Sequence, residues 1–209
     1  MRDGARAMTP NDFETDALAE LFNVGLHRAA ASLSEITGQR IELAMPRLVI
    51  CSINEIELRL SDLIEGEIAT VHQLFGGAVA GDAVLLMEHD KAATLARLMT
   101  DGEAALGGRL DQSGREVLAE VGNIVLGACL SGFGDMLHVP VSFSVPRIHI
   151  ESLKSILSSL VVDNGEVQFA MVAATQFRLS SLAVDGYMVV AVGSKSLDRI
   201  AAALTERIG

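Results

Sequence analysis

The sequence has few aromatic residues, with no Trp, one Tyr and seven Phe among 209 residues. Half of all residues are nevertheless hydrophobic, so the core has to be built from aliphatic side chains and Met. Only two cysteines are present, Cys51 and Cys129, which are too few for a disulfide framework and show no Cys/His spacing of a zinc site. We expect both thiols to be reduced and buried, as in a cytosolic protein.

Positive charge is also scarce, because 16 basic residues face 27 acidic ones and the formal net charge is -11. This balance argues against binding to nucleic acids or to anionic membranes, both of which require a cationic surface. The first residues contain no apolar segment of a signal peptide. No uninterrupted apolar run approaches the roughly 18 residues of a membrane span. We therefore expect a cytoplasmic protein without membrane insertion.

The chain resembles itself at a distance of about half its length. At an offset of 100 residues, Ala17–Asn23 resembles Val117–Asn123, and Met45–Ile50 resembles Val145–Ile150. At an offset of 105 residues, Gly81–Met87 resembles Gly186–Val192. The repeated similarity indicates two copies of one unit, and the change of offset indicates a small insertion in the second copy. We predict a single domain over residues 1–209, built from repeats at about 9–106 and 107–209 and joined near Gly107-Gly108.

Both copies show the same order of predicted elements. Each opens with a long amphipathic helix, the first beginning at Thr9–Asp12 and ending at Gly38, and continues with strands and a short closing helix. The predicted strands are Ile41–Ser52 and Val141–Ile150, and the hairpins pair Glu67–Leu74 with Ala78–Met87 and Glu166–Phe177 with Leu182–Val192. Weaker helical stretches lie near Ile53–Leu63 and Ser152–Val161, and the closing helices are Lys91–Met99 and Leu197–Ile208.

Because the strands are grouped rather than alternating one for one with helices, we predict an α+β fold of mixed α/β type. The sheet is expected to be antiparallel or mixed, with helices packed on it. The two copies should be related by a pseudo-two-fold axis within one domain.

Polar residues recur between the copies on the long helices. Glu20 and Asn23 return as Glu120 and Asn123, and a spacing of three places each pair on one helix face. An acidic residue stands four positions before each Glu, and a proline follows each Asn after 22 residues; these residues are Asp16, Glu116, Pro46 and Pro146. Solubility alone does not explain a polar stripe that occurs twice.

This twofold Glu-x2-Asn-x22-Pro pattern resembles the CheC/CheX/FliY family of response-regulator phosphatases, and two sites favour the CheC type. The resemblance implies hydrolysis of the aspartyl phosphate of CheY or a similar receiver domain, in chemotaxis or two-component signalling. Asn23 and Asn123 would position the attacking water, while Glu20 and Glu120 would dock the receiver. The chain itself would bind no cofactor, because the receiver would supply Mg²⁺.

Several interpretations remain open from the sequence. Asp16 and Glu116 extend the acidic stripe toward a docked receiver, but Ser113-x-x-Glu116 also reads as a helix capping box. The stretch that begins at Glu151 is either a core helix or, by the family resemblance, a surface for the receptor deamidase CheD. The alternatives to a phosphatase are a non-catalytic CheC-like module that binds CheD or the receiver, and a flagellar switch component related to FliM.

Overall fold

Two long helices begin the two halves of the chain in the computed structural model, which describes residues 12–100, 110–162, 167–179 and 182–206. Helix α1 covers Asp12–Thr37 and helix α4 covers Gln112–Leu137. Gly38 follows α1 with a φ of 68°, a left-handed conformation that glycine adopts at low cost, and it ends the helix as predicted. The predicted helix start at Thr9–Asn11, the joint at Gly107-Gly108 and the helix end at Ile208 lie outside the described residues.

The remaining elements follow in the same order in both halves. After α1 come β1 (Ile41–Ser52), a 3₁₀ turn (Ile53–Glu55), α2 (Ile56–Ser61), β2 (Ile68–Gly77), β3 (Gly81–Glu88) and α3 (His89–Met99). After α4 come β4 (Val141–Phe143), β5 (Arg147–Glu151), α5 (Leu153–Val162), β6 (Val167–Leu179), β7 (Leu182–Gly193) and α6 (Ser194–Glu206). The protein therefore has the α+β composition that the sequence predicts.

Over the described residues the strands form one sheet in the order β1-β6-β7-β3-β2-β4, with β5 also paired to β2. All six pairings are antiparallel. The hairpins β2–β3 and β6–β7 meet at the centre, and the first strand of each half lies beside the hairpin of the other half. This arrangement is what two exchanged repeats would give, and we propose the two-repeat origin on that basis.

Prolines interrupt the two outer strands, but with different results. In β1 the register with β6 shifts between Ala44 and Arg47, around Pro46. The predicted single strand Val141–Ile150 is wrong, because the chain breaks into β4 and β5 at residues 144–146. Proline donates no backbone hydrogen bond, so it is tolerated at an outer strand where it locally disturbs pairing.

Both faces of the sheet are buried, which produces two hydrophobic clusters. The larger one lies between the sheet and the long helices α1 and α4, with α3 and α6 contributing. The smaller one lies beneath α2 and α5 and includes Ile56, Leu60, Ile156 and Leu157. Strand β3 is consequently buried at six consecutive positions, the pattern of a central strand covered on both sides.

Helices α1 and α4 pack against each other in opposite directions. The Phe22 and Phe133 rings form an edge-to-face pair with centroids 5.7 Å apart, and Gly25 lies against the backbone of Cys129. Helix α4 is long and apolar enough to cross a membrane by length and composition. Most of its apolar side chains are nevertheless buried in the larger cluster, as expected for the core helix of this fold.

Candidate functional site

The first predicted site lies on the N-terminal half of α1. Asp16 and Glu20 are exposed, and Asn23 is half-buried one turn after Glu20. The orientation of this helix face follows from Leu18 and Phe22, whose side chains are buried in the core. Within the described part of the chain the Asn23 side chain has no hydrogen-bond partner. The helix thus presents a carboxylate and a carboxamide side by side toward solvent.

The second predicted site has the same exposure pattern on α4 but an additional contact below it. Glu116 and Glu120 are exposed and Asn123 is half-buried. The Oδ1 atom of Asn123 accepts a hydrogen bond of 3.0 Å from Nε2 of Gln73 on β2. Gln73 is 1% exposed, so a core side chain holds the carboxamide from beneath. The two sites therefore differ in their support, although both carry the Glu-x2-Asn pattern.

The break between β4 and β5 provides the second contact of Gln73. Its Nε2 also donates to the backbone carbonyl of Ser144 at 2.9 Å. Ser144 bonds to Leu74 on β2 through both its backbone and its side chain. Its backbone N–H donates to the Leu74 carbonyl oxygen, and its hydroxyl accepts from the Leu74 N–H, in place of a regular strand pair. The strand break before Pro146 is therefore connected to Asn123 through one buried amide.

A glycine brings α4 close enough to β2 for this contact. A Cβ at Gly122 would lie 2.5 Å from a methyl carbon of Val71, so no larger residue fits without movement. Gly122 directly precedes Asn123, whereas the residue before Asn23 is the fully buried Phe22. The close approach thus follows from the sequence of the second half.

The interpretation of Glu116 as part of a capping box is wrong. The helix begins after Asp111, whose Oδ1 accepts from the Gly114 N–H at 2.7 Å and caps the first turn. Glu116 instead accepts a hydrogen bond of 3.2 Å from the side chain of Gln112. Its exposed carboxylate remains available to a docked protein on the same face as Glu120.

The candidate CheD surface is formed by Glu151 and helix α5. Glu151 is exposed, accepts a hydrogen bond from the Ser155 hydroxyl and lies 3.8 Å from Nδ1 of His149. Ile156 and Leu157 are buried in the smaller cluster, as core packing predicts. The two weak helical stretches predicted near Ile53–Leu63 and Ser152–Val161 form α2 and α5, and these two helices contact each other.

A cavity of ≈ 420 Å³ lies on the α5 side of the sheet, across β2 from Gln73. Its polar lining includes Thr70, His72, Ser144, Arg147, His149 and Glu151. Nε2 of His72 lies 2.7 Å from Oδ1 of Asp82, which is 1% exposed. The sequence analysis found no role for this histidine or its partner.

Gln73 is the main site residue that the sequence analysis missed. Ala69, Val71 and Phe75 point from β2 into the larger cluster, and Gln73 falls at the same alternation. A polar residue at an inward position of a strand has to be hydrogen-bonded, which is the signal that could have identified it.

Comparison with known proteins finds CheC proteins among those similar in sequence to this chain. No protein-family model matches the chain. CheC1 of Halobacterium salinarum is 23% identical over 155 residues, which cover 73% of this chain and 76% of the relative. The CheY-P phosphatase CheC of Bacillus subtilis is 23% identical over 160 residues, covering 74% of each chain.

Solved structures share the fold. FliY of Thermotoga maritima superposes with a TM-score of 0.77 at 22% identity, over 96% of this chain and all of the FliY chain (100%). The FliM middle domain of H. pylori gives 0.66 at 9% identity, over 93% of this chain and 99% of that domain. The chain is therefore similar in sequence to CheC proteins over most of its length and shares its fold with FliY, in line with the resemblance of its Glu-x2-Asn-x22-Pro pattern.

Proposed function

We propose that the protein is a phosphatase that hydrolyses the aspartyl phosphate of a CheY-like receiver domain and so terminates its signal. The observation that carries the proposal is the exposed Glu one turn before a half-buried Asn, present on both α1 and α4. The name of the B. subtilis relative, CheY-P phosphatase CheC, supports the same activity. A cytoplasmic location belongs to this proposal, because receiver domains act there.

Hydrolysis of an acyl phosphate requires few catalytic groups from the enzyme. An acyl phosphate has a good leaving group and a loose transition state, so the main task is to place water in line with the departing oxygen. A carboxamide can donate to the water oxygen and accept from a water proton. We assign this role to Asn23 and Asn123. In the second site Oδ1 of Asn123 keeps one lone pair for water, because Gln73 occupies the other.

The carboxylates are assigned to docking. Glu20 and Glu120 are exposed one turn before each Asn and could pair with a cationic residue of the receiver. Asp16 and Glu116 extend this acidic face by one further turn. The receiver would bring its own Mg²⁺, so the proposal places no metal on this chain. The partner is therefore a phosphorylated receiver whose active-site rim carries a positive charge.

The decisive experiment is a time course of phospho-receiver hydrolysis. The double variant Asn23→Ala, Asn123→Ala should lower the rate by about 10²-fold, because removing one positioned polar group at a reacting centre commonly costs that much. Asn54→Ala is the matched control, since Asn54 is an exposed asparagine on the 3₁₀ turn away from both helices. Hydrolysis by the double variant at the rate of the control would refute the assignment.

A second candidate function is a binding module of the flagellar switch or of CheD. The likeness to the FliM middle domain favours it, because that protein has the same fold. Turnover separates the two candidates: phosphate released in molar excess over protein supports the phosphatase, whereas stoichiometric binding without release supports the module. CheD binding can be tested separately by pull-down with the Glu151→Lys variant.

A further inference from the structure

Gln73 is a buried polar residue in an otherwise apolar part of the core. It stands at an inward position of β2, between Val71 and Phe75 in the larger cluster, and is 1% exposed. Its Oε1 accepts no hydrogen bond from the described residues, so the side chain is only half satisfied. Burying such a group is unfavourable compared with an apolar side chain of similar volume.

The orientation of the Gln73 amide is fixed by its neighbours. The Ser144 carbonyl can only accept, so Nε2 and not Oε1 has to face it at 2.9 Å. The same Nε2 lies 3.0 Å from the Asn123 side chain, which must present its oxygen in return. The Asn123 Nδ2 group is consequently directed away from Gln73. One buried amide therefore selects one of the two orientations of the candidate catalytic carboxamide.

The first site lacks this support. The repeat offset relates Gly81 to Gly186 and hence Ala83 to Met188, and the strand registers pair Gln73 with Ala83 and Ala173 with Met188. The counterpart of Gln73 is thus Ala173, which has no polar side chain. Asn23 accordingly has no hydrogen-bond partner within the described residues.

We propose that Gln73 is a positioning residue for Asn123 and makes the second site the faster of the two. The inference rests on the proposed phosphatase function, because it assigns the rate of that reaction. A carboxamide already held in the working orientation does not have to be ordered when the water and the receiver arrive. Asn23 has to be ordered in each encounter, which slows the chemical step without changing the docking carboxylate.

The single-site variants test this directly. Asn23→Ala leaves the second site alone and should retain most of the wild-type kcat, whereas Asn123→Ala should retain about a tenth or less. Adding Gln73→Met to Asn23→Ala should lower kcat about tenfold with KM unchanged, a smaller loss than the ~10²-fold expected when the reacting-site amide is removed outright. Met keeps the volume and apolar fit while removing the donor.

The same Gln73→Met change in the Asn123→Ala protein is the control. Its kcat should change by less than twofold, because Gln73 does not support the first site. Equal losses in both backgrounds would show a general structural defect and overturn the inference. Retention of full kcat by Asn23→Ala, Gln73→Met would overturn it as well, while the proposed phosphatase function would stand.

A measurement that does not depend on activity distinguishes failure of the Gln73 positioning role from failure of the proposed phosphatase function. In ¹⁵N-labelled protein, the Asn123 side-chain amide should have a backbone-like order parameter of about 0.85, and that of Asn23 should fall below about 0.6. Gln73→Met should lower the Asn123 value to that of Asn23. Absence of hydrolysis by the wild type would refute the proposed phosphatase function. In that case the order parameter still tests the positioning role: a mobile Asn123 amide overturns it, and a rigid one supports it.

Discussion

Cys129 lies where α1 and α4 cross, with 0% of its surface exposed. Its Sγ is 3.8 Å from the Phe22 carbonyl oxygen, to which the thiol can donate weakly. Burial raises the pKa of this thiol from its ordinary value of 9.0 to about 12, because the thiolate would lose its hydration. The folded state therefore favours the protonated thiol, whereas the unfolded chain ionises near its ordinary value.

This difference predicts a loss of stability at alkaline pH. A pKa that is raised on folding contributes stability that is complete below the unfolded value and is lost as pH rises toward the folded value. The window thus runs from about pH 9 to about pH 12. By pH 10 the contribution should have fallen by about 1.4 kcal/mol, one pH unit's worth for a single group.

Urea unfolding of the wild type and Cys129→Ala at pH 7, 8, 9 and 10 isolates this effect. The variant should be less stable at neutral pH, because truncation leaves a small cavity, but its stability should fall less between pH 9 and 10. Cys51, whose pKa burial also raises, is present in both proteins and cancels from the difference. Parallel pH dependences would show that Cys129 does not ionise on unfolding.

The contact between helices α1 and α4 depends on a residue without a side chain. A Cβ at Gly25 would lie 2.6 Å from the Cys129 Cα and 3.0 Å from the Ala128 carbonyl oxygen, so backbone would have to move. Gly127, on the partner helix, has nothing within 4 Å of the same hypothetical atom. The two glycines thus form a matched pair, one required by packing and one not.

We expect Gly25→Ala to lower the free energy of unfolding by about 2 kcal/mol, since overpacking a core commonly costs 1–3. Gly127→Ala should raise it by up to about 1 kcal/mol, because Ala favours the helix. Chemical denaturation of the two variants gives both values. Stabilisation by Gly25→Ala would mean that the helices are farther apart than the structure places them.

The bounds of elements could be predicted where local signals determine them. Strand β1 was predicted and found over Ile41–Ser52, since apolar residues and the flanking Gly38 define it locally. Its counterpart was predicted as one strand and is two, because Ser144 bonds to Leu74 on β2 and replaces regular pairing. That contact joins residues 70 positions apart, and no local pattern reveals it.

In the candidate site, too, some features could be predicted from the local sequence and others could not. Glu120 and Asn123 could be found because a helix places residues three apart on one face, and the repeat singled them out. Gln73 could not be assigned to Asn123, because that requires knowing that α4 lies over β2 and that Gly122 lets it approach Val71. Sequence patterns thus located the side chains on their elements, while tertiary packing determined what supports them.

The two halves of the chain complete each other's sheet. Among the described strands, β1 of the first half pairs with β6 of the second, and β4 and β5 of the second half pair with β2 of the first. The central pairing, β3 with β7, also joins the halves. Each half alone would leave strands without neighbours, and its long helix would lose the partner that buries it.

Splitting the chain between Gly107 and Gly108 should therefore give two halves that do not fold as monomers. Mixed at equal concentration, they should form a 1:1 complex with the circular dichroism spectrum of the intact chain, because all pairings between the halves can re-form. Size-exclusion chromatography and thermal unfolding measure both outcomes. A homodimer of one half would show that equivalent strands can replace each other, as two repeats require. Cooperative unfolding of either half as a monomer would contradict the exchange of strands as the source of stability, since that half would then bury a core without its partner.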